Sequence, residues 1–222
     1  MIEENVRAIL QEIAAGNNLG EKITLVGASK TVSPENINLA LSCGLKTVAE
    51  NKVQEFTEKY PLVHCRDYQF IGHLQKNKVK YLIGKVSLIQ SVDSIPLAEE
   101  IDRLSQKHGV ATGVLAQINI GREQTKSGFP PEEALAAAEK LSALPNLRLK
   151  GLMAMLPAGA ESGYLKDLCL QMREFYDIIK KRYEGIEHLS VGMSEDYKIA
   201  VANGSNMIRL GSAIFGRRNY EG

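Results

Sequence analysis

Eight short runs of apolar and β-branched residues, each tied to the next by a segment of helical spacing, constrain most strongly what this 222-residue chain can fold into. The runs cover 23–30, 46–51, 67–73, 87–93, 113–120, 147–156, 188–193 and 207–216. Between them, apolar residues recur at steps of three and four, as in Leu97, Ile101 and Leu104, in Leu135, Ala138 and Leu141, and in Leu165, Leu168, Met172, Phe175 and Ile179 over 163–184. That spacing predicts amphipathic helices. Ser33-Pro34 reads as a cap followed by a proline at the first helical position, and Asn203-Gly204 as a helix stop. No hairpin turn joins two runs directly, so the strands are expected to be parallel with helical crossovers. Eight such units close a TIM (β/α)8 barrel, with a doubly wound open sheet as the competing topology. The stripe Val6, Ile9, Leu10 and Ile13 predicts an N-terminal helix in the place of the one that would follow the eighth strand. No linker or low-complexity block divides the chain, so 1–222 is expected to form a single domain.

Composition narrows the function. Lys and Arg total 27 against 26 Asp and Glu, so the net charge is near zero and no global field favours nucleic acid or an anionic membrane. The three cysteines, Cys43, Cys65 and Cys169, share no CxxC spacing, and the four histidines, His64, His73, His108 and His188, have no ligand spacing, so neither a disulfide framework nor a metal site is expected. There is no GxGxxG or GxxxxGK[ST] motif for a nucleotide. The N-terminus does not resemble a signal peptide, and no run is long enough to span a bilayer. A reducing, cytoplasmic setting is the expectation.

In a (β/α)8 barrel the chemistry sits at the C-terminal ends of the strands, and phosphate is often held by the loops after strands seven and eight. The strand ends here carry Lys30, Glu50 and Asn51, Gly72 and His73, Met193 and Ser194, and Arg209, Gly211 and Ser212. Ser194 reads as the start of a helix, and Gly211-Ser212 lets backbone approach a ligand, which together make an anion cradle; Glu195 and Asp196 weaken it unless they point outward. Ser194 is equally read as a plain helix cap. Lys30 would be partly desolvated and close to Arg209, and both effects favour the neutral, nucleophilic amine. Lysines at strand ends also commonly snorkel to solvent. A further basic stretch, Lys76, Lys78, Lys80 and Lys85, reads as a solvated face, or as a surface that draws in an anionic ligand or docks an acidic protein.

Six blocks in order resemble the pyridoxal phosphate (PLP) homeostasis proteins, relatives of the N-terminal barrel of alanine racemase: LVGASKT (25–31), AENKVQE (49–55), FIGHLQKNK (70–78), QINIGREQTKSGF (117–129), LKGLMAM (149–155) and LSVGMSEDYKIAVANGSNMIRLGSAIFG (189–216). The resemblance implies that Lys30 carries PLP as an internal aldimine. It puts the phosphate on Ser194, Gly211 and Ser212, Asn51 in the pocket, and Arg209 near the pyridine nitrogen. Two positions depart from the pattern. Gln69 stands where a histidine is common, leaving a pocket or ring contact unassigned, and Ser212 stands for threonine, which keeps the hydroxyl.

The resemblance further implies a protein that holds and delivers PLP, with apo-PLP enzymes as possible recipients. A racemase needs a second acid–base group on the opposite face of the cofactor. In racemase relatives this is a tyrosine from an extra β domain across a dimer. Only residues 213–222 follow Ser212, so neither that domain nor its dimer contact is expected, and a monomer is. The tyrosines fall on helices or their ends, at Tyr68 before the third strand, and at Tyr220 in the tail. Two alternatives remain: a weak amino-acid racemase or transaminase, and a phosphosugar aldolase that uses the lysine without a cofactor.

Overall fold

The computed structural model describes residues 1–216; Tyr220 lies outside them. Eight parallel strands close into a barrel: β1 (Thr24–Ala28), β2 (Thr47–Glu50), β3 (Asp67–Phe70), β4 (Leu88–Val92), β5 (Thr112–Ile118), β6 (Leu147–Ala154), β7 (His188–Val191) and β8 (Met207–Leu210). Closure comes from β1 pairing with β8 in the register Thr24↔Met207 through Gly27↔Leu210. The helices are α1 (Ile2–Glu12), α2 (Pro34–Ser42), α3 (Val53–Lys59), α4 (Ile95–His108), α5 (Ala134–Ser142), α6 (Ser162–Arg182), α7 (Tyr197–Ala202) and the single turn α8 (Ser212–Phe215). A 3-10 turn, Lys76–Tyr81, takes the place of a helix between β3 and β4.

Strand alternation splits the apolar residues into two cores. Val26, Ala49, Ile71, Leu88, Leu115, Met153 and Met207 fill the barrel, whereas the larger cluster lies between the strands and the helices. Residues two apart along a strand share a face, so Ala28 after Val26, and Arg209 after Met207, point the same way as the barrel core. In α6 the buried stripe is Leu165, Leu168, Cys169, Met172, Tyr176 and Ile179, with Phe175 at its edge rather than in it. Ser33 caps α2 by accepting from the Asn36 N–H, and α7 stops at Asn203-Gly204. Helix α1 packs against α2 and α8 through Val6, Ile9 and Ile13, and Asn5 Nδ2 donates to Ile214 O at 3.1 Å, so it occupies the position expected of it.

The expected eighth strand over 207–216 is shorter than its apolar run. It ends at Leu210, and Gly211 O then accepts from the Ile214 and Phe215 N–H groups, so the second half of the run forms α8 and buries Ile214 against the helix layer. Apolar residues on both sides of a barrel strand conceal such a switch, because a short apolar run reads alike as strand or helix.

A carboxylate in the approach to β1 ties this shell together. Glu21 accepts from Arg173 Nη1 at 2.6 Å and Asn17 Nδ2 at 2.9 Å, with Lys180 Nζ at 3.3 Å. Burial would raise its pKa, but these donors outweigh that and hold it at about 2 instead of 4.5. A carboxylate depressed in the fold stabilises the protein above its unfolded pKa and loses that contribution as pH falls. Glu21→Gln is therefore expected to lower Tm at neutral pH, and the gap to the wild type to close between pH 4.5 and about 2 in thermal melts. A constant gap across that window would contradict the assignment. No helix among the described residues is long and apolar enough to cross a membrane.

Candidate functional site at the C-terminal ends of the strands

A cavity of about 550 Å³ opens at the C-terminal mouth of the barrel, bringing together Lys30, Asn51, Ser194, Arg209, Gly211 and Ser212. The six residues to which the resemblance gives a role therefore line one cavity. Strand alternation explains part of this. Lys30 is two residues beyond Ala28, and Asn51 two beyond Ala49, so both inherit the inward face. Lys30 is half-buried, in the turn that follows β1, and its Nζ has no hydrogen-bond or ion-pair partner among the described residues.

Arg209 lies on the cavity floor and is only 4% exposed. Its Nη1 donates to Ser190 O at 2.8 Å and to Ser190 Oγ at 2.6 Å, while Nη2 donates to Ala154 O at 2.9 Å. Ser190 Oγ in turn donates to Gln90 Oε1 at 2.7 Å, and Gln90 Nε2 donates to Gln69 Oε1 at 2.6 Å. Gln69 is thus the far end of a polar chain inside the barrel that fixes the guanidinium. It does not line the cavity, so no ring contact falls to it. Burial lowers the Arg209 pKa to about 10 against the opposing pull of Asp196, so the group keeps its charge at neutral pH.

Ser194 is not a helix cap. It sits in a turn, and the cap position of α7 is Asp196, whose Oδ1 accepts from the Met193 N–H at 2.6 Å instead of capping the helix. Ser194 Oγ accepts from the Gly211 and Ala213 N–H groups, both at 3.3 Å. Two backbone donors from the start of α8 and a hydroxyl from the β7 loop therefore converge on one spot, with Ser212 at the rim. Glu195 is exposed and Asp196 is held by the Met193 N–H. The arrangement suits an anionic oxygen.

His73 does not reach this cavity. It is mostly exposed, its Nδ1 lies 3.1 Å from Asp93 Oδ2, and it lines a neighbouring recess with Leu74, Lys76 and Pro96. The lysines of the basic stretch are exposed, with Lys78 and Lys80 near the Tyr81 ring and Lys85 near the Tyr60 ring. The sequence reading overlooked the apolar walls Ala28, Ile71, Met155, Leu156 and Ala158. The two-residue alternation of β1 and β3 could have found Ala28 and Ile71. Gly72 was placed at a strand end but given no role: a Cβ there would lie 1.8 Å from Asn51 O, so only a bare backbone lets the end of β3 pass beside Asn51.

The family model for the alanine racemase N-terminal domain matches residues 2–219. A pyridoxal phosphate homeostasis protein of Aquifex aeolicus (strain VF5) is 39% identical over 220 residues, which cover 98% of this chain and 95% of that relative. Among solved structures, PipY of Synechococcus elongatus PCC7942 with PLP bound is 28% identical, with a TM-score of 0.82 over 97% of this chain and 100% of the other. An alanine racemase of Clostridium difficile 630 is similar in fold at 19% identity, with a TM-score of 0.78 over 98% of this chain and 61% of the racemase.

Proposed function

The chain belongs to the family of pyridoxal phosphate homeostasis proteins, and on that premise we propose that it binds PLP at the barrel mouth and serves to hold and release it. The observation that carries this reading is the joint presence, in one cavity, of a lysine whose amine has no partner among the described residues and a separate group formed by Ser194, Gly211 and Ser212. A volume of about 550 Å³ falls in the range of small-molecule sites. The cofactor supplies an aldehyde, which condenses with a primary amine with loss of water and passes to another amine by exchange. Lys30 is the amine that attaches it. Ser194, Gly211 and Ser212 would hold the phosphate, and Asn51 would line the wall. Arg209 offers the cavity only donors and positive charge, a setting that disfavours protonation of a pyridine.

Two features favour a carrier over a racemase or transaminase. Among the described residues no tyrosine lines the cavity. Of the two acids that line it among the described residues, Glu195 is exposed and Asp196 Oδ1 already accepts from the Met193 N–H, which speaks against either as the second acid–base group of a racemase. The exposed Lys76, Lys78, Lys80 and Lys85 provide a docking face for an acidic apo-enzyme.

The reading is tested by the absorption spectrum of the protein with PLP. A visible band that borohydride abolishes, with the label recovered on the peptide containing Lys30, supports it; an unchanged spectrum and no retained PLP would overturn it. Replacing Ser194 by Ala removes one hydroxyl from the phosphate site and is expected to weaken PLP binding about tenfold. Equilibrium titration measures this, and an unchanged Kd would remove Ser194 from the site.

A further inference from the structure

Beneath Lys30, on the helix side of β1 and β2, lies an ion triad that the cofactor site does not include. Lys59 Nζ donates to Glu50 Oε1 at 2.8 Å, to Glu55 Oε2 at 3.1 Å and to the backbone carbonyl of Ser29 at 2.9 Å, which uses all three of its protons. Glu50 is fully buried and its Oε1 also accepts from Ser29 Oγ at 2.6 Å. Glu55 Oε2 accepts from the backbone N–H of Thr31 at 2.8 Å. The two residues that flank Lys30 in the chain are thus both gripped by the triad, one through its carbonyl and one through its amide.

The grip acts on a strained turn. Thr31 has φ +63°, a left-handed conformation that its β-branched side chain disfavours and that persists only where the surroundings impose it. The surroundings are the Glu55 carboxylate on the Thr31 N–H and the Val32 N–H on Ser29 O at 3.0 Å. Fold stability alone does not call for charge here, since buried ion pairs rarely exceed apolar packing in stability. The triad also leaves Glu50 Oε2 and the neighbouring Tyr68 hydroxyl buried without partners. What charge provides is direction: it sets where Ser29 O and Thr31 N point, and so where the side chain between them emerges.

We propose that Glu50, Lys59 and Glu55 are positioning residues for Lys30, with the Glu55 contact to Thr31 N–H as the element that aims the amine into the cavity. This rests on the reading of Lys30 as the attachment point for PLP. It is tested in the full chain with Glu55→Ala and Glu55→Gln, by two measurements. The first is the rate of covalent capture of PLP, followed by absorbance and by borohydride trapping on the Lys30 peptide. The second is the affinity for pyridoxine 5'-phosphate, which has the ring and phosphate but no aldehyde.

Glu55→Ala is expected to slow capture at least tenfold while changing pyridoxine 5'-phosphate affinity less than twofold. Glu55→Gln, whose amide oxygen still accepts from Thr31, is expected to recover capture to within about threefold of the wild type. Should Glu55→Ala fail to fold, Glu55→Met fills the same volume without an acceptor and carries the same expectation. Capture by the acceptor-less variant at the wild-type rate, or equal losses in both measurements, would overturn the proposal, because a merely structural staple moves both together. Wild-type protein that captures no PLP sinks the cofactor reading itself, and that result is read without any variant.

Discussion

Lys30→Ala is expected to abolish the visible absorption that PLP produces with the wild-type protein, to leave no borohydride-stable label on any peptide, and to weaken PLP retention at least tenfold. The effect is expected to be this complete because Lys30 is the only lysine that lines the cavity among the described residues. Fold stability is expected to change by no more than about 0.5 kcal/mol, as for a substitution away from packed or paired groups. Lys30 is half-buried, and its Nζ makes no hydrogen bond among the described residues. The phosphate donors belong to other strand ends, so pyridoxine 5'-phosphate should still bind. Persistence of the band in Lys30→Ala would move the attachment elsewhere. Loss of pyridoxine 5'-phosphate binding as well would mean that the lysine organises the cavity instead of reacting in it.

Gly72→Ala is expected to have the second largest effect, and on both stability and binding. The added Cβ would lie 1.8 Å from Asn51 O and 2.5 Å from Asn51 C. Both atoms belong to backbone, so no side chain can swing aside. Either the end of β3 or the β2 loop must shift, at a cost of about 3 kcal/mol or more for overpacking of this kind. The Ile71 N–H bonds to Glu50 O at 2.9 Å immediately before the crossing, which leaves the strands little freedom to separate. Asn51 and Ile71 both line the cavity, so PLP affinity should fall along with the denaturant midpoint. A variant with wild-type stability and affinity would show that the crossing is looser than these distances imply.

The two substitutions probe different levels of the same protein, and they differ in how far each could be anticipated. Lys30 was legible because it ends the first apolar run and stands in the block LVGASKT, which resembles a family whose lysine there carries the cofactor; the inward face it shares with Asn51 and Arg209 came from the register of the barrel. Closure into a barrel with chemistry at one mouth followed from the order of eight strands and their crossovers. Gly72 was visible as a residue and opaque as a constraint, since what makes it obligatory is the backbone of another strand passing within contact distance. Ser194 shows the same division. Its place at the site followed from the seventh strand end, but its role as acceptor for Gly211 and Ala213 required the turn of α8, which the apolar run 207–216 concealed.

Local sequence by itself determined the strand and helix alternation and the identity of the residues at the strand ends, because these depend on spacing along one chain and on side-chain chemistry. Only the tertiary structure decided which charges meet. Glu50, Glu55 and Lys59 read as ordinary acidic and basic residues of a strand end and a polar helix. They become a triad beneath Lys30, with Glu50 fully buried and Glu55 partly so, because β2 and α3 fold back against the turn after β1. Gln69 similarly becomes the end of a chain that reaches Arg209 through Gln90 and Ser190. Apart from the i,i+4 pair of Glu55 and Lys59 on α3, the bonds that carry these arrangements to Ser29, Thr31, Gln90 and Ser190 join residues about 20 to 100 positions apart in the sequence, and periodicity, which compares near neighbours, carries no information about them.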